Sequence, residues 1–498
     1  MRILFVNCVN FLESTLPEGI ALLSAILKEH GHEVEVFDNA FLKPKNYLMD
    51  EEAASKKRWV YGIAFYKATP YNLKDLVASD PEVDIVEKFS EKIREFNPSL
   101  IAVSAMSRNY KKSLNLIRKV KPACKIIFGG VHPTLMPEDV LNQKEVDFVC
   151  VGEGDRALVE LCDCLDKGGD PTKIENLYVK LKQGRSQKII KNRLGEFVDL
   201  DTIPPPDLGI FDARHLFRPF LGNVYKGIFM STARGCPRGC FYCVNNKLRD
   251  LFKGCGKSYL RFQSPKVVAR RIESLKNQYG INWIKFSDDT FLSRPLEDIY
   301  ELRDLLKPLN IMFGCSVDPA TVTEEKVKIL QEAGCVSMTI GIETGNEAIR
   351  KKVLGRYISD SQIKKAIAII RKQCIKISSF NIIGLPGETK ENFFQTIRFN
   401  KELEIPDASL YILYPFPGSK IFEDYGASLD KYDYEKTIPG FNLSKMPKEE
   451  LSYFLSVFNL YLVLPESYWG KIEEAKRSPK LYKDLLKIAQ DTVNARQF

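Results

Sequence analysis

The sequence predicts an α/β protein in three parts: a doubly wound, Rossmann-like domain, a partial (β/α)6 barrel of the TIM type, and a helical C-terminal tail. Two stretches in which apolar, strand-like runs alternate with amphipathic helical patterns predict the α/β parts. An extended proline-rich segment, Ile203-Pro204-Pro205-Pro206-Asp207, predicts a boundary between them. We place the parts at residues 1–170, 171–225 (a linker), 226–425 and 426–498.

Length, composition and charge exclude several classes of protein. The 498 residues exceed the ~250 to 300 at which one core usually stops growing. The 44% hydrophobic content excludes a mostly disordered chain. The net charge of +9 comes without a dense basic block, so we expect no binding of nucleic acid. With no membrane span and no signal peptide in the sequence, we expect a cytoplasmic protein whose 12 cysteines are mostly reduced.

Five apolar runs within residues 1–170 predict a parallel sheet that is covered by helices on both faces. The runs are Ile3 to Cys8, Val34 to Phe37, Leu100 to Ala105, Ile126 to Gly129 and Asp147 to Val151. Between the first two, Ile20, Leu23 and Leu27 recur at helical spacing, which completes one α/β repeat. The segment from Tyr47 to about Ser79 does not fit this alternation and predicts a loop insertion.

The segments that follow these runs are the candidate binding residues, because ligands bind at the carboxyl ends of the strands in such a sheet. None of the segments contains G-x-G-x-x-G, which disfavours NAD or FAD. Glycines at two strand ends would let the backbone approach a broad ligand, although glycines there also serve as plain turns. The candidates are Ser104, Gly129, Gly130, His132, Gly152 and Glu153.

Six further runs, alternating with helical patterns, predict the partial barrel and place its chemistry on the loops after the strands. The runs are Ile228 to Thr232, Trp283 to Ser287, Ile311 to Ser316, Val336 to Ile342, Ile377 to Ile383 and Ser409 to Leu413. In the tail, Leu451 to Leu464 is the most apolar piece and is too short to span a bilayer. We expect it to pack on the barrel; a lid over an apolar substrate or a contact with a membrane surface are the alternatives.

Three cysteines follow the first barrel strand in a C-x3-C-x2-C pattern: Cys236, Cys240 and Cys243. Chance places such a pattern in well under ~1% of chains of this size. Three thiolates on one loop hold a soft metal, either zinc or the irons of a cluster. Zinc would need a fourth ligand, for which Cys255 is available. A [4Fe-4S] cluster would keep one corner open for a small molecule, and the position of the loop in a barrel favours this alternative.

With Tyr242 before the last cysteine, the loop resembles the C-x3-C-x-aromatic-C signature of the radical S-adenosylmethionine (SAM) enzymes. The resemblance implies that the three cysteines bind three irons of a [4Fe-4S] cluster while SAM chelates the fourth. An electron from the cluster then cleaves SAM to a 5′-deoxyadenosyl radical. Weaker matches after the second, fourth and fifth barrel strands imply that SAM contacts Asp288 or Asp289, Glu343 and Gly384. Asp289 could equally cap the next helix.

The N-terminal half resembles one subgroup, the cobalamin-binding radical SAM enzymes. The matching motifs are Leu16-Pro17-Glu18-Gly19, Gly129-Gly130-Val131-His132-Pro133-Thr134, Val151-Gly152-Glu153-Gly154 and Pro204-Pro205-Pro206-Asp207. The chain lacks the D-x-H-x-x-G motif that supplies a cobalt-binding imidazole. We therefore expect base-off cobalamin without a histidine ligand; His132 is the remaining candidate, and loss of cobalamin is a further alternative.

The resemblance implies an oxygen-sensitive enzyme that methylates an unactivated carbon of a small substrate. One SAM would recharge cobalamin with methyl and a second would yield the radical. The alternatives are a radical cyclisation or rearrangement, as in relatives that build the fifth ring of chlorophyll precursors, a cobalamin-free radical SAM enzyme, and a zinc-bound, non-enzymatic sensor. The apolar tail favours an isoprenoid, lipid or tetrapyrrole substrate, and the family implies a reduced flavodoxin or ferredoxin as electron donor.

Overall fold

Two seven-stranded sheets form the frame of the molecule. The computed structural model describes residues 1–45, 76–183, 186–220, 223–405, 407–426 and 442–495. The predicted loop insertion from Tyr47 to about Ser79 lies for the most part outside the described residues.

The first sheet carries the N-terminal half of the chain. Its strands are β1 (Arg2–Asn7), β2 (Glu33–Asp38), β3 (Leu100–Ser104), β4 (Lys125–Gly129), β5 (Phe148–Cys150), β6 (Leu177–Gln183) and β7 (Ser186–Lys191). Their order is β2-β1-β3-β4-β5-β6-β7. The first five are parallel, and the chain reverses direction across the sheet between β1 and β3, which confirms the doubly wound prediction. The hairpin β6–β7 pairs antiparallel with β5, so this sheet continues into the segment that we predict as a linker.

Helices cover both faces of the first sheet, because successive strand residues point to opposite sides. They are α1 (Glu18–Glu29), α2 (Ile85–Phe96), α3 (Tyr110–Val120), α4 (Val131–Leu135), α5 (Pro137–Leu141) and α6 (Gly154–Asp166). Phe5 of β1 packs into one core with Leu27 of α1. Its neighbour Val6 packs into the opposite core with Phe89 of α2. Each such side chain contributes roughly 1.5 to 3 kcal/mol by burial.

The second sheet forms the half-barrel. Its seven strands are β8 (Phe217–Phe220), β9 (Asn223–Met230), β12 (Trp283–Phe286), β13 (Met312–Val317), β14 (Cys335–Glu343), β15 (Lys376–Ile383) and β16 (Ala408–Ile412). A separate antiparallel pair consists of β10 (Ala233–Arg234) and β11 (Arg261–Phe262). The order is β16-β15-β14-β13-β12-β9-β8. Six strands from β9 to β16 are parallel and follow chain order, which confirms the predicted partial (β/α)6 barrel. Strand β8 extends it antiparallel to β9.

The remaining helices surround the half-barrel and form the tail. They are α7 (Asn245–Leu251), α8 (Pro265–Tyr279), α9 (Leu296–Leu306), α10 (Glu324–Glu332), α11 (Glu347–Lys352), α12 (Asp360–Lys372), α13 (Lys390–Glu402), α14 (Lys420–Tyr425), α15 (Lys448–Val463), α16 (Trp469–Glu474) and α17 (Pro479–Ala495). The apolar α15 packs on the barrel, with Phe454 and Phe458 against Phe393 of α13. Within the described ranges, no helix has both the length and the apolar character that crossing a bilayer requires.

Buried ion pairs join the two sheets at the loop between β9 and α7. Arg234 donates two hydrogen bonds of 2.8 Å to the carboxylate of Asp155, at the start of α6. On the other side of the interface, the carboxylate of Glu18 in α1 accepts hydrogen bonds from the backbone N–H of Ser231 (2.9 Å) and from Arg271 (3.3 Å). A bidentate pair fixes orientation as well as distance. The N-terminal sheet is therefore anchored directly to the cysteine loop.

Asp155→Asn should loosen this anchor. It removes the charge from a largely buried pair, and since Arg234 keeps 29% of its side chain exposed, we expect a loss of roughly 2 kcal/mol rather than the ~3 to 5 kcal/mol of a fully buried one. Calorimetry should show a lower midpoint of thermal unfolding. Asp166→Asn, at an exposed position of the same helix, is the control. Equal midpoints for the two variants would contradict the anchor.

Candidate radical SAM and cobalamin site

The cysteine loop begins at a position where only glycine fits. Gly235 has φ +95°, and a Cβ there would lie 2.4 Å from the carbonyl oxygen of Tyr259. Any other residue would clash with backbone and would be strained. The glycine therefore lets the chain turn sharply from β10 into the loop.

Side chains of helix α7 hold the backbone of the cysteine loop in place. The guanidinium of Arg249 donates hydrogen bonds of 2.6 Å to the carbonyl oxygens of Cys236 and of Arg238. The amide of Asn246 donates to the carbonyl oxygen of Cys240 at 3.2 Å. Because these donors occupy backbone carbonyls, they fix the loop without using the thiols. All three cysteine side chains stay available as ligands.

The three thiols lie close enough to influence one another. The pKa of Cys236 is raised to about 12, mainly by burial and in smaller part by the charges of Asp289, Cys243 and Cys240. Burial likewise raises the pKa of Cys243. Thiolates in such surroundings need a bound cation to be stable. The donor set and its setting therefore fit a metal group.

The geometry favours an iron-sulfur cluster over zinc. Burial raises the pKa of Cys255, and the charges of Glu153 and Glu175 raise it as well. In the part of the chain that the structure describes, no three Cys, His, Asp or Glu side chains are grouped as ligands of one ion. A zinc site requires such a group, with sulfurs ~2.3 Å from one ion. Cluster cysteines bind different irons and need not converge in this way.

Glu343 lies at the end of β14 and faces the loop. It has φ +66°, and the pairing of β14 with β15 shifts register between Gly341 and Glu343; a bulge of this kind re-aims a side chain. Its Oε1 accepts a hydrogen bond of 3.0 Å from the hydroxyl of Tyr242. Burial raises the pKa of Glu343, against the opposing charge of Arg356. The structure thus brings the predicted residues Tyr242 and Glu343 together.

Arg356 is a site residue that the sequence does not reveal. Its guanidinium lies 3.7 Å from Sγ of Cys240 and donates to the carbonyl oxygen of Gly341 at 3.0 Å. It also pairs with Asp318 at 3.3 Å, and Asp318 pairs with Arg238 of the loop at 2.7 Å. A cation beside a cysteine sulfur stabilises its thiolate. No local motif marks this arginine, which lies 116 residues after Cys240.

Asp288 and Asp289 follow β12 and play different parts. The carboxylate of Asp288 accepts hydrogen bonds from the backbone N–H groups of Thr232 (2.6 Å) and Ala233 (2.9 Å), so it holds the end of β9. Asp289 accepts a hydrogen bond of 3.1 Å from Asn245, whose amide also lies 3.4 Å from Sγ of Cys243. Asn245 thus links the end of β12 to Cys243. In the sequence, only its position two residues after Cys243 suggests this role.

A cavity of about 530 Å³ lies between the two sheets. The first domain contributes the ends of β3, β4 and β5, and the barrel contributes the ends of β9 and β12 together with residues of α7. Candidate residues of the first domain and of the barrel therefore line the same cavity. They are Ser104, Gly129, Gly130, Gly152, Glu153, Asp288 and Asp289.

Two of the lining glycines are required by close packing. Gly130 has φ +98°, and a Cβ there would lie 2.8 Å from the carbonyl oxygen of Ala105. Gly152 has φ +91°, and a Cβ would lie 2.8 Å from the ring of Phe252. Gly129 differs, because a Cβ there would make only an ordinary contact of 3.5 Å. Together they give the first domain a smooth backbone wall that suits a broad ligand.

Two predicted cofactor residues have partners within the protein, although Nε2 of His132 is buried without a hydrogen-bond partner among the described residues. The carboxylate of Glu153 pairs with Arg261 and, at 3.2 Å, with Arg234, so its charge is already balanced. His132 packs its ring on Tyr110, with 4.3 Å between ring centroids, and its Nδ1 lies 3.0 Å from the hydroxyl of Ser107. Burial lowers the pKa of His132 to about 4. It is buried beside the cavity rather than among its lining residues.

Gly384 follows β15 and lies beside a buried carboxylate. With φ +86°, it donates its N–H to Oε2 of Glu388 at 2.8 Å, and Leu385 donates to the same oxygen at 3.2 Å. Burial raises the pKa of Glu388 to about 8, although both hydrogen bonds oppose the rise. The turn thus depends on a carboxyl group that stays protonated at neutral pH.

The two α/β domains match two protein families. Residues 6–162 match the B12 binding domain, and residues 230–399 match the radical SAM superfamily. The protein belongs to the radical SAM enzymes that carry an N-terminal B12-binding domain. It is therefore an enzyme whose cofactors are a [4Fe-4S] cluster, SAM and cobalamin.

Several known proteins are similar to this chain over most of its length. An uncharacterized methyltransferase of Pyrococcus horikoshii is 29% identical over 70% of this chain and 76% of its own. The anaerobic magnesium-protoporphyrin IX monomethyl ester cyclase of Cereibacter sphaeroides is 26% identical over 70% of this chain and 57% of its own. The fold also matches a solved structure of the radical SAM methyltransferase TsrM from Kitasatospora setae, with TM-score 0.62, 14% identity, and 98% and 99% of the two chains covered.

Glu388→Gln should flatten the pH dependence of stability. The folded chain keeps this proton up to about pH 8, whereas the unfolded chain releases it near its ordinary pKa of 4.5. Between these values the unfolded state binds fewer protons, so rising pH destabilises the folded enzyme, by on the order of 3 kcal/mol. Urea unfolding at pH 5.5 and 8.5 measures the difference, which should shrink in Glu388→Gln and persist in the exposed control Glu391→Gln. Identical pH dependence in all three proteins would refute the assignment.

Proposed function

We propose that this enzyme is a cobalamin-dependent radical SAM methyltransferase that methylates an unactivated carbon of a small molecule. The observation that carries the proposal is the shared cavity, which the strand ends of both domains line. Methyl transfer to a substrate radical requires the radical and the methyl donor to meet in one enclosed space.

Cys236, Cys240 and Cys243 would hold the cluster. The carbonyl contacts of Arg249 fix the loop that carries them, and Arg356 places a positive charge beside Cys240. When bound, the cluster supplies the electron that splits SAM into methionine and a 5′-deoxyadenosyl radical, and cobalamin supplies the methyl group.

The barrel residues near the loop would position SAM. Glu343 presents a carboxylate that Tyr242 orients by its hydrogen bond, and an acceptor of this kind suits the cationic or hydroxyl groups of SAM. The turn at Gly384 would lie beside the adenine, as the family pattern implies. Asp289, on the cavity side of β12, offers a second acceptor. Asp288 would not contact SAM directly, because its oxygens already accept hydrogen bonds from the backbone that follows β9.

The first domain would bind cobalamin in the base-off form. Gly129, Gly130 and Gly152 leave a backbone wall, and Ser104 adds a hydroxyl group beside it. His132 packs on Tyr110 and is not proposed as a cobalt ligand. The pairs of Glu153 with Arg234 and Arg261 would close the cavity edge rather than bind the cofactor.

The tail and the relatives both bear on the substrate class. The apolar face of α15 packs on α13, so its apolar character is no argument for a lipid or isoprenoid substrate. A tetrapyrrole keeps support from the similarity to a magnesium-protoporphyrin ester cyclase. That relative also makes radical cyclisation the second candidate reaction. Product analysis separates the two, because methylation adds one carbon from SAM and cyclisation adds none.

Cys240→Ala should abolish production of 5′-deoxyadenosine. Loss of one thiolate removes an iron ligand, so anaerobically reconstituted protein should lose its brown colour and most of its iron. Cys164→Ala, on α6 and distant from the loop, should behave as wild type. Cys255→Ala separates the alternatives, because it should keep iron and activity. Retained SAM cleavage in Cys240→Ala, or zinc in place of iron in the wild type, would contradict the proposal.

Ser104→Trp should exclude cobalamin while sparing SAM cleavage. The indole would fill the cavity at the end of β3, so cobalt content and the visible spectrum of bound cobalamin should fall at least tenfold. Production of 5′-deoxyadenosine, which depends on the barrel, should change by less than about threefold. Ser104→Ala is the matched control and should bind cobalamin. Full cobalamin binding in Ser104→Trp would show that the cofactor binds elsewhere.

A further inference from the structure

The concave face of the half-barrel is polar, unlike the interior of a closed barrel, which is filled with bulky branched side chains. Here the apolar strand residues point outward, where Ile284 of β12 and Met338 of β14 pack into one core with Ile272 of α8. Strand residues alternate between the two faces of a sheet. The inward positions therefore include several hydroxyl-bearing side chains and a lysine: Lys285, Ser316, Thr339, Ser378, Ser409 and Tyr411.

This concave face is open toward the shared cavity. Ser287, two residues after Lys285 and on the same side of the strand, lines that cavity. At the other edge of the sheet, Tyr411 of β16 is 55% exposed, whereas its neighbour Leu410 points the opposite way into the core with α15. A small molecule in the cavity therefore has access to the concave face.

Lys285 extends across the middle of this face. Its ammonium donates hydrogen bonds to the carbonyl oxygen of Cys315 on β13 (3.1 Å) and to the hydroxyl of Thr339 on β14 (2.9 Å). The side chain crosses β13 at Gly314, where a Cβ would lie 3.5 Å from Cδ of Lys285 and 2.3 Å from the hydroxyl oxygen of Ser337. The glycine therefore makes room for the lysine beside the serine.

Lys285 forms no ion pair with any carboxylate of the described residues. Its two acceptors there are uncharged, and an ammonium group has three N–H donors, so one donor is left for a ligand. Asp407, just before β16, lies near enough for the charge of Lys285 to lower its pKa, but burial raises that pKa well above its ordinary value, which favours the neutral acid. Burial lowers the pKa of Lys285, so a bound anion would stabilise its ammonium form.

Hydroxyl groups and two aromatic rings lie on the same face as this ammonium. The hydroxyl oxygens of Thr339 and Ser378 are 2.8 Å apart. Phe380 follows Ser378 by two residues on the same side of β15, and its ring centroid lies 6.0 Å from that of Tyr411. The face thus offers charge and hydroxyl groups at one end and apolar ring surface at the other.

We propose that the concave face binds the substrate through a carboxylate group held by Lys285, an inference that rests on the proposed function. One ammonium flanked by hydroxyl groups matches the single charge of a carboxylate more closely than the nearly double charge of a phosphate. The apolar body of the substrate would lie against Phe380 and Tyr411 and extend toward the cavity. Holding the substrate at one end fixes the position of the carbon that reacts.

Calorimetric titration of the anaerobic holoenzyme tests this assignment with two matched probes. They are 3-phenylpropionate and its uncharged amide, which share one apolar body. The enzyme is saturated with SAM and kept without reductant, so that the carboxylate of SAM already occupies its own site and no turnover occurs. The wild type should bind the acid about tenfold more tightly than the amide, because a hydrogen bond between charged groups is stronger than one to a neutral group.

Two variants remove the charge of Lys285. Lys285→Met should bind the acid and the amide equally, and Lys285→Gln, which can still donate a hydrogen bond within the barrel, should do the same. Lys326→Met on α10 is the matched control. The ammonium of Lys326 also donates to carbonyl oxygens, those of Leu292 (2.7 Å) and Arg294 (3.0 Å), but it lies on the helix side of the barrel. This control should keep the wild-type preference for the acid.

Three results would overturn the proposal. The first is an undiminished preference for the acid in the Lys285 variants, and the second is a wild type that binds neither probe or binds both equally. The third is tighter, Lys285-dependent binding of phenyl phosphate, which would assign the site to phosphate esters. The titration needs no turnover, so it is independent of the reaction. If the reduced holoenzyme transfers no methyl group from SAM to any acceptor, the proposed function fails while the preference for the acid remains.

Discussion

A bidentate ion pair anchors the cysteine loop to the N-terminal domain. Arg234, two residues before Cys236, donates both ends of its guanidinium to Asp155 at the start of α6. Glu153, one residue before that helix, adds a second carboxylate. Because the pair is bidentate and largely buried, it fixes both distance and angle. The wall of the first domain therefore faces the start of the cysteine loop across a single cavity, which Arg234 and Gly235 line.

The shared cavity suits chemistry that no single domain could complete. A primary carbon radical attacks the nearest C–H bond, so its partner must be held close and water kept away. The glycines of the first domain let a wide ligand approach its backbone. Glu343, Tyr242 and Arg356 form a polar cluster beside Cys240, outside the set of residues that line the cavity. The cysteine loop also reaches the surface, where Pro237 and Gly239 are exposed.

Local sequence signals predict the two α/β units and the three cysteines, because strand periodicity and thiol spacing are short-range features. Contacts between distant segments escape them. Arg356 reaches Cys240 only through the fold, and Glu343 is aimed by a register shift in β14. The hairpin β6–β7 joins the first sheet by pairing with β5, which its own pattern does not specify. Likewise, the apolar tail helix gives no indication that its partner is α13 rather than a substrate.

Electron paramagnetic resonance on the anaerobic holoenzyme addresses the central claim that both metal groups face one cavity. Cobalt(II) in base-off cobalamin and the one-electron-reduced cluster are both paramagnetic. If they share the cavity, reducing the cluster should accelerate the spin relaxation of the cobalt signal, and that signal should lack splitting from an axial nitrogen. A cobalt signal with the same relaxation before and after cluster reduction would place the two groups far apart and contradict this account.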